Sequence, residues 1–229
     1  MSTTQLPLYR KRVLVVDDHP VVRQGLALLI SRDENLIVSL EAEDASAAMQ
    51  AIAASNPDMV ILDISLGGVD GITLTRNIRD RYPDIPILVL SMHDESLFAE
   101  RALRAGARGY VMKNESSQKI MEALHRVLRG ELYLSERLSA TFLSKFLHLR
   151  SDNQDSYLSS LTDRELEVFQ LIGVGRSTRE IAETLHLSAK TIETHRTHII
   201  EKLGLRNSKE VFQHAFRWTN MVSSPIQSP

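Results

Sequence analysis

Between residues 12 and 130, five short apolar runs alternate with five helix-like segments, and this alternation limits the possible folds most strongly. Each run is short and aliphatic, which is typical of a buried strand, and the intervening segments have the apolar spacing of amphipathic helices. Strands that alternate with helices predict an α/β domain with a doubly wound, five-stranded parallel sheet. The runs are 13–16, 36–42, 58–64, 86–92 and 109–113, and the helix-like segments lie near 20–31, 45–54, 71–81, 95–105 and 116–129.

The rest of the chain lacks this alternation. An amphipathic segment near 135–149 precedes a polar, unpatterned stretch, 150–160, which predicts a linker. The segments that follow predict an all-α, four-helix domain with helices near 162–173, 177–184, 188–203 and 207–218, and the polar tail, 223–229, is expected to be disordered. The predicted organisation is a first domain over 10–130, a linker helix and flexible linker over 131–157, and a helical domain over 158–222.

The amino-acid composition indicates the cellular compartment and excludes some kinds of site. The 229 residues include no cysteine, which excludes disulfides and thiolate metal sites and predicts a reducing, cytoplasmic location. No apolar stretch has membrane-spanning length, and the N-terminus lacks the apolar core of a signal peptide, so no membrane association is expected. The net charge of −2 does not indicate nucleic-acid binding, which must be argued from the local arrangement of charge.

Polar side chains stand where four of the five predicted strands end. In a doubly wound sheet these carboxyl ends meet at one edge, where ligands bind. A single polar strand end is ordinary, but several at one edge, all suited to one chemistry, are not. Taken alone, the first two acids are explained equally well as the N-cap of the helix that begins near Pro20. The residues are Asp17, Asp18, Asp63, Ser91 and Lys113.

These residue types suit phosphoryl transfer. Three carboxylates held together repel one another and favour a divalent cation with oxygen ligands, most naturally Mg²⁺. The cation neutralises the site and lets one carboxylate attack phosphorus, and Asp63 is the expected nucleophile because it stands singly. Ser91 can donate a hydrogen bond to the transferred group, and Lys113 can supply a fixed positive charge.

The motifs "VVDDHP", "VILDISLGGVDG", "VLSM" and "GARGYVMK" resemble the receiver domain of bacterial response regulators over about residues 10–130. The resemblance implies that Asp63 is the phosphoacceptor and that Ser91 and Tyr110 form a switch pair that moves on phosphorylation. It also implies a set of magnesium ligands beside Asp63, namely Asp17, Asp18 and the backbone carbonyl of Ser65.

Two further features surround the expected acceptor. The chain has Gly67 where the family usually has proline, and glycine leaves this loop more mobile without removing any chemistry. Ser65 and His93 stand two residues beyond Asp63 and Ser91. They are therefore expected to flank the phosphoryl group and to influence the rate at which it is lost.

The helical domain carries the pattern of a helix-turn-helix. Thr162 and Glu165 form a predicted capping box, and the segment 177–205 places two short helices around the turn "HLS". Residues 176–217 contain eight Lys and Arg against five acids, whereas 161–168 contain one base and three acids. The basic groups gather on the half that would contact phosphates. A small helical bundle that binds protein is the alternative.

The segment "LTDRELEV…STREIAETLHLSAKTIETHRTHIIEKLGL" is similar to the LuxR-type DNA-binding domain, and its union with a receiver is typical of the NarL/FixJ subfamily. On the second helix, Ile192, Ile199 and Leu203 predict the buried side, opposite a polar stripe. His195 lies beside them and is interpreted either as a structural residue or as a DNA contact. The expected DNA-binding residues are Lys190, Thr191, Glu193, Thr194, His195, Arg196, Thr197 and Lys202.

Two other functions compete with transcriptional regulation under phosphorylation control. A phosphatase that forms an aspartyl-phosphate would have a second acid two residues after the nucleophile, where this chain has Ser65. An orphan regulator would bind DNA regardless of phosphorylation, and the intact acceptor site argues against it. The sequence predicts a regulator without enzymatic turnover, whose partners are a sensor histidine kinase, double-stranded DNA and, on activation, a second copy in a homodimer.

Overall fold

The computed structural model describes residues 10–66, 70–93, 95–147 and 158–223. The chain divides near residue 143 into two compact units, an α/β unit and a helical unit. Gly67, most of the predicted linker and nearly all of the predicted disordered tail lie outside the described residues. None of the described helices has both the length and the apolar character needed to cross a bilayer.

The α/β unit contains one five-stranded parallel sheet in the order β2-β1-β3-β4-β5, which confirms the predicted fold class. The strand order reverses between β1 and β3, so their carboxyl ends lie side by side at the switch point. The strands are β1 (Lys11–Val16), β2 (Leu36–Ala42), β3 (Met59–Leu62), β4 (Ile87–Ser91) and β5 (Gly109–Met112). The helices are α1 (Pro20–Ile30), α2 (Ala45–Ser55), α3 (Gly71–Arg81), α4 (Glu95–Ala105) and α5 (Ser117–Leu128).

Helices cover both faces of the sheet because alternate strand residues point to opposite sides. On one face, Val13 and Val15 belong to an apolar cluster that includes residues of α1 and α5. On the other face, Leu14 and Val16 belong to a cluster that includes residues of α2 and α3. The last four residues of β1 are therefore buried on both faces, and the residues that follow them are held at a rigid edge.

Over the described residues 158–223, the helical unit contains four α-helices, as the sequence predicts. A sixth helix, α6 (Glu136–Leu147), precedes the gap in the described residues, and the helices beyond it are α7 (Asp163–Gly173), α8 (Thr178–Thr184), α9 (Ala189–Leu203) and α10 (Ser208–Ser223). The predicted linker is wrong at its last three residues, because Leu158–Ser160 form a 3-10 turn and Leu158 is buried. Leu158 is an apolar residue that becomes buried, and the polar composition of the surrounding stretch does not indicate this.

Close packing of α7 on α10 positions the remaining helices of this unit. Phe169 and Trp218 lie with ring centroids 5.9 Å apart. A Cβ atom at Gly173 would lie 2.6 Å from the backbone oxygen of Ala215, so the two helices meet where only glycine fits. Ile192 and Ile199 of α9 are fully buried, which fixes the side that this helix turns to the core.

Candidate acidic site and candidate nucleic-acid interface

The carboxyl edge of the sheet brings together three of the predicted site residues in an ion cluster. Asp17 and Asp63 directly follow β1 and β3 and are 2 % and 3 % exposed. Lys113 directly follows β5, and its Nζ lies 2.6 Å from Oδ2 of Asp17 and 2.7 Å from Oδ2 of Asp63. One ammonium group therefore bridges two buried carboxylates, and we call Asp17, Asp18, Asp63 and Lys113 the acidic rim.

The acidic doublet does not cap the following helix. The N-cap of α1 is His19, whose side chain makes no capping hydrogen bond, so the N-cap interpretation of Asp17 and Asp18 is wrong. His19 instead turns toward the acids. Its backbone N–H donates to Oδ1 of Asp17 over 2.8 Å, and its Nδ1 lies 2.6 Å from Oδ1 of Asp18. The motif "DDHP" places His19 directly beside the doublet and is the sequence signal for this contact.

The rim fits a divalent cation. Asp17, Asp18, His19 and Asp63 each offer a ligand atom within 4.8 Å of the others. Oδ1 of Asp63 is buried and has no hydrogen-bond partner among the described residues. Burial raises the pKa of Asp63 to about 6 despite the opposing charge of Lys113, and the neighbouring Asp17 adds to the rise. A cation relieves this cost of ionising a buried carboxyl.

The backbone at Asp63 is held by a close approach of two chain segments. The amide of Asp63 donates to the carbonyl of Val16, and the amide of Gly71 donates to the carbonyl of Ile64 over 2.8 Å. A Cβ atom at Gly71 would lie 2.3 Å from the backbone oxygen of Asp63, a distance that side chains do not adopt. Glycine is therefore needed at this position for α3 to start against Asp63.

The predicted switch pair meets at His93. Ser91 is fully buried at the end of β4, and its Oγ accepts a hydrogen bond from the amide of His93 over 3.1 Å. The hydroxyl of Tyr110 donates to the carbonyl of His93 over 2.8 Å, and Nε2 of His93 lies 2.6 Å from Oγ of Ser65. Ser91, Tyr110 and Ser65, separated in the sequence, therefore contact one residue beside the rim.

In the helical unit, side-chain caps fix the starts of three helices. Thr162 and Glu165 form the predicted capping box of α7, with both hydrogen bonds present. Ser177 and Glu180 form a second box at α8, and Ser188 caps α9. Each cap accepts a hydrogen bond from an amide that the first turn of a helix leaves unpaired. The caps at Ser177 and Ser188 therefore fix where α8 and α9, the two helices of the helix-turn-helix, begin.

Arg164, which the sequence analysis did not single out, ties α7 to the turn between α8 and α9. Its Nη1 donates to Glu167, a buried acid, and its Nη2 donates over 2.6 Å to the carbonyl of Leu185, the C-cap of α8. Buried charge is stable only when it is paired in this way. A charged residue three positions before another on a helix is the signal that indicates the Glu167 pair.

The division of α9 into two sides agrees with the prediction. Ile192 and Ile199 are buried and Leu203 is half-buried, whereas the residues of the polar stripe are exposed. The exposed residues are Lys190, Glu193, Thr194, Thr197 and Glu201.

Thr178 of α8 holds two of the predicted DNA contacts. Its hydroxyl donates to Oε1 of Glu193 over 2.7 Å and accepts from Nη1 of Arg196 over 3.2 Å. Thr191 is half-buried, with its hydroxyl 2.8 Å from Oγ of Ser188. Thr178 of α8 and Ser188, the N-cap of α9, therefore hold part of the polar surface of α9 in place.

Two other predicted DNA contacts lie beside residues of α7, although the Lys202 side chain is still 36 % exposed. Nζ of Lys202 lies 2.7 Å from Oε2 of Glu165, the capping-box acid of α7. The ring of His195 is half-buried, and its Nδ1 is buried without a hydrogen-bond partner among the described residues. Burial and the charge of Arg164 lower the pKa of His195. Both placements favour a structural role.

Each of the two units matches a known protein family, and the chain as a whole resembles known proteins. Residues 13–125 match the family described as response regulator receiver domain, and residues 159–215 match bacterial regulatory proteins, luxR family. The oxygen regulatory protein NreC of Staphylococcus aureus (strain MRSA252) is 34 % identical over 212 residues, which are 90 % of this chain and 97 % of that protein.

Two solved structures illustrate the likeness. A two-component response regulator of the LuxR family from Aurantimonas sp. SI85-9A1 is 36 % identical, with a TM-score of 0.57, and the match covers 60 % of this chain and 99 % of that one. RcsB from Salmonella enterica serovar Typhimurium, bound to promoter rprA in the presence of phosphomimetic BeF3⁻, is 26 % identical with a TM-score of 0.58. That match covers 90 % of this chain and 98 % of the RcsB chain.

Proposed function

The chain belongs to the two-component response regulators of the LuxR family, and we propose that it controls transcription after Asp63 accepts a phosphoryl group. The observation that carries this proposal is the acidic rim, where Lys113 bridges Asp17 and Asp63. The proposed bounds are 10–130 for the receiver domain, 131–157 for the linker, of which 148–157 lie outside the described residues, and 158–222 for the DNA-binding domain. The proposed phosphodonor is a sensor histidine kinase, and the proposed location is the cytoplasm.

Each residue of the rim has a distinct proposed role. A carboxylate oxygen of Asp63 attacks phosphorus, and the bond between phosphorus and the imidazole nitrogen of the kinase breaks, returning its electron pair to that nitrogen. With a pKa of about 6, Asp63 is mostly ionised at neutral pH and can act as the nucleophile. Nζ of Lys113 and the hydroxyl of Ser91 are proposed to stabilise negative charge on the oxygens of the transferred phosphoryl group.

The proposed ligands of Mg²⁺ are the carboxylates of Asp17, Asp18 and Asp63 and the backbone carbonyl of Ser65. The buried, unpartnered oxygen of Asp63 supports this assignment. When bound, Mg²⁺ neutralises the carboxylates and stabilises the charge of the phosphoryl oxygens. Lys113 and His19 already contact the same acids, so the chain itself reduces the repulsion between them.

The proposed switch is the contact of Ser91 and Tyr110 with His93. A phosphoryl group on Asp63 competes for the Ser91 hydroxyl, which the His93 amide contacts in this structure. A change at His93 reaches Tyr110 directly, because the Tyr110 hydroxyl bonds its carbonyl. We propose that the resulting shift alters the surface formed by residues 95–129 and thereby promotes a homodimer.

The proposed DNA-binding surface is the exposed side of α9. Lys190 and Arg196 are suited to phosphates, and Glu193, Thr194 and Thr197 are suited to base edges in the major groove of double-stranded DNA. Thr191 lies beside them. His195 and Lys202 support this surface from its inner side. A homodimer is proposed to bind paired half-sites, because one short helix reads too few base pairs to be selective in a genome.

Labelling by an acyl phosphate tests the acceptor. The unmodified chain should incorporate phosphate only with divalent metal, and Asp63→Asn should abolish labelling. Asp80→Asn, an exposed acid on α3, is the matched control and should label normally. A stable phosphoryl group on Asp63→Asn would show that the assignment is wrong.

The DNA-binding step is tested with the same two variants. Fluorescence anisotropy on promoter DNA, with and without the phosphoryl donor, should show tighter binding and dimer formation only where Asp63 is present. Equal binding by the labelled and unlabelled chain, both monomeric, would favour the orphan regulator.

A further inference from the structure

A second cluster of metal-ligating side chains lies in the helical unit and shares no residue with the acidic rim. Glu165 of α7 and His195 and His198 of α9 each offer one ligand atom, and the three atoms lie within 4.8 Å of one another. Two imidazoles and one carboxylate are a donor set of three-ligand zinc sites. We call these three residues the Glu-His-His cluster.

The carboxylate of Glu165 is oriented by groups outside the cluster. Its Oε2 accepts from the amide of Thr162 over 2.8 Å and lies 2.7 Å from Nζ of Lys202. Its Oε1 lies 3.5 Å from Nδ1 of His198. Glu165 itself is 2 % exposed. One oxygen is thus fixed and the other faces the histidines, which is how outer contacts support a metal ligand.

The two histidines stand three residues apart, on one side of α9. The Nδ1 atom of His195 is buried and has no hydrogen-bond partner among the described residues. A buried nitrogen that is left unpaired is unfavourable, and structures normally supply a partner. His198 is 50 % exposed, so an ion can reach the cluster from solvent.

We propose that Glu165, His195 and His198 bind a transition-metal ion of the zinc type and that the ion links α7 to the inner side of α9. Imidazole nitrogen selects Zn²⁺, Co²⁺ or Ni²⁺, whereas Mg²⁺ prefers oxygen ligands and suits the carboxylates of the acidic rim. The chain therefore has two metal sites of different chemistry. The second site holds the helix that carries the proposed DNA contacts.

Titration with Co²⁺ tests the proposal in the full-length chain, without a histidine tag and with Mg²⁺ in excess. One Co²⁺ per chain should give the strong visible absorption of a low-coordinate, nitrogen-ligated ion, and Zn²⁺ should displace it. His198→Gln should bind more weakly by about tenfold or more, because changes in outer contacts alone have effects of that size. Glu165→Gln should do the same, since glutamine keeps the capping box but removes the anionic ligand.

Two controls separate this site from the rest of the chain. His214→Gln removes an exposed histidine of α10, and Asp18→Asn alters the acidic rim; both should leave the visible spectrum and its midpoint unchanged. Circular dichroism should show that His198→Gln, altered at a half-exposed position, keeps its helices. An unchanged Co²⁺ affinity in both His198→Gln and Glu165→Gln, or a spectrum lost only in Asp18→Asn, would overturn the proposal. The measurement involves neither DNA nor phosphorylation, so it stands or fails separately from the proposed function.

Discussion

Asp63 in the α/β unit and Glu165 in the helical unit are both buried carboxylates with a lysine Nζ 2.7 Å away, yet their pKa values move in opposite directions. The pKa of Asp63 rises to about 6, because burial outweighs the attraction of Lys113. The pKa of Glu165 falls, because hydrogen bonds from Lys202 and Thr162 outweigh the effect of burial.

The surroundings of the two pairs explain the difference. Lys202 is 36 % exposed, so the Glu165 pair lies close to solvent, whereas Lys113 is only 9 % exposed. Asp63 also has the carboxylate of Asp17 as a neighbour, which shares the same lysine. A lysine–carboxylate pair of the same length therefore stabilises helix α7 in one unit and, in the other, leaves a carboxylate for which ionisation is costly. The depth of burial and the presence of another carboxylate nearby, rather than the ion pair itself, distinguish Asp63, the proposed nucleophile, from Glu165.

The largest expected effect is that of Lys113→Gln, which leaves Asp17 and Asp63 buried without their shared cation. Removal of one partner of a buried ion pair costs about 3–5 kcal/mol, so the free energy of unfolding should fall by roughly that amount without metal. Urea denaturation measures the loss, and added Mg²⁺ should recover part of it. A change below about 1 kcal/mol, the range of surface pairs, would contradict the description of the rim as buried.

A somewhat smaller effect is expected from pH, in the absence of metal. The native pKa of Asp63 is raised from 3.8 to about 6, so above pH 6 the folded chain carries the cost of a buried charge. As the pH falls from 6 toward 4, the native carboxyl is protonated while the unfolded one stays ionised, and this contribution to stability rises. Two pKa units correspond to about 3 kcal/mol.

Asp63→Asn isolates this contribution. Urea denaturation of the variant should show greater stability than the unmodified chain above pH 6, and the difference should vanish near pH 4. Glu165 has the opposite sign, because its lowered pKa stabilises the folded chain above its ordinary value of 4.5 and is lost as the pH falls through the folded value. A difference between Asp63→Asn and the unmodified chain that grows at low pH would contradict the raised pKa.

The variant Glu193→Ala tests whether a carboxylate of the helical unit contributes to recognition of a DNA base. A carboxylate that faces DNA can accept a hydrogen bond from the amine of cytosine, and a good base contact is worth about 1–3 kcal/mol. The variant should lose discrimination at one position per half-site, measured by selection from a randomised binding site. Arg196→Ala is the matched comparison: it should weaken binding to all sequences and reduce the salt slope by about one. Identical base preferences in Glu193→Ala and the unmodified chain would show that Glu193 only bonds Thr178.

The smallest effect is expected from Lys202→Gln. The Lys202 side chain is partly exposed, so its pair with Glu165 should contribute only about 1 kcal/mol to the free energy of unfolding. Phosphorylation of Asp63 should be unchanged. Urea denaturation beside Lys113→Gln would test the comparison directly, since equal losses in the two variants would remove the distinction between the pairs.

The parts of the molecule that sequence predicts well are those set by periodicity. The five strands and their polar ends follow from apolar runs, and the rim follows from the rule that parallel strands end at one edge. Side-chain direction is harder. The sequence predicts Lys202 as a DNA contact, and its Nζ lies beside Glu165 of α7; a helical pattern does not indicate such a contact with an acid on another helix. The contact of Arg164 with Leu185 depends on rotamers and tertiary packing, which carry no local signal, whereas "DDHP" does place His19 beside Asp18.

Thr178 has a consequence for the transfer of sequence preference between relatives. It belongs to α8, yet it bonds both Glu193 and Arg196 of α9 and so constrains the rotamers of the two side chains proposed to contact a base pair and a phosphate. Grafting α9 alone into another LuxR-type regulator would carry these two side chains without the hydroxyl that holds them. The smallest portable unit of DNA recognition in this chain is therefore the helix pair.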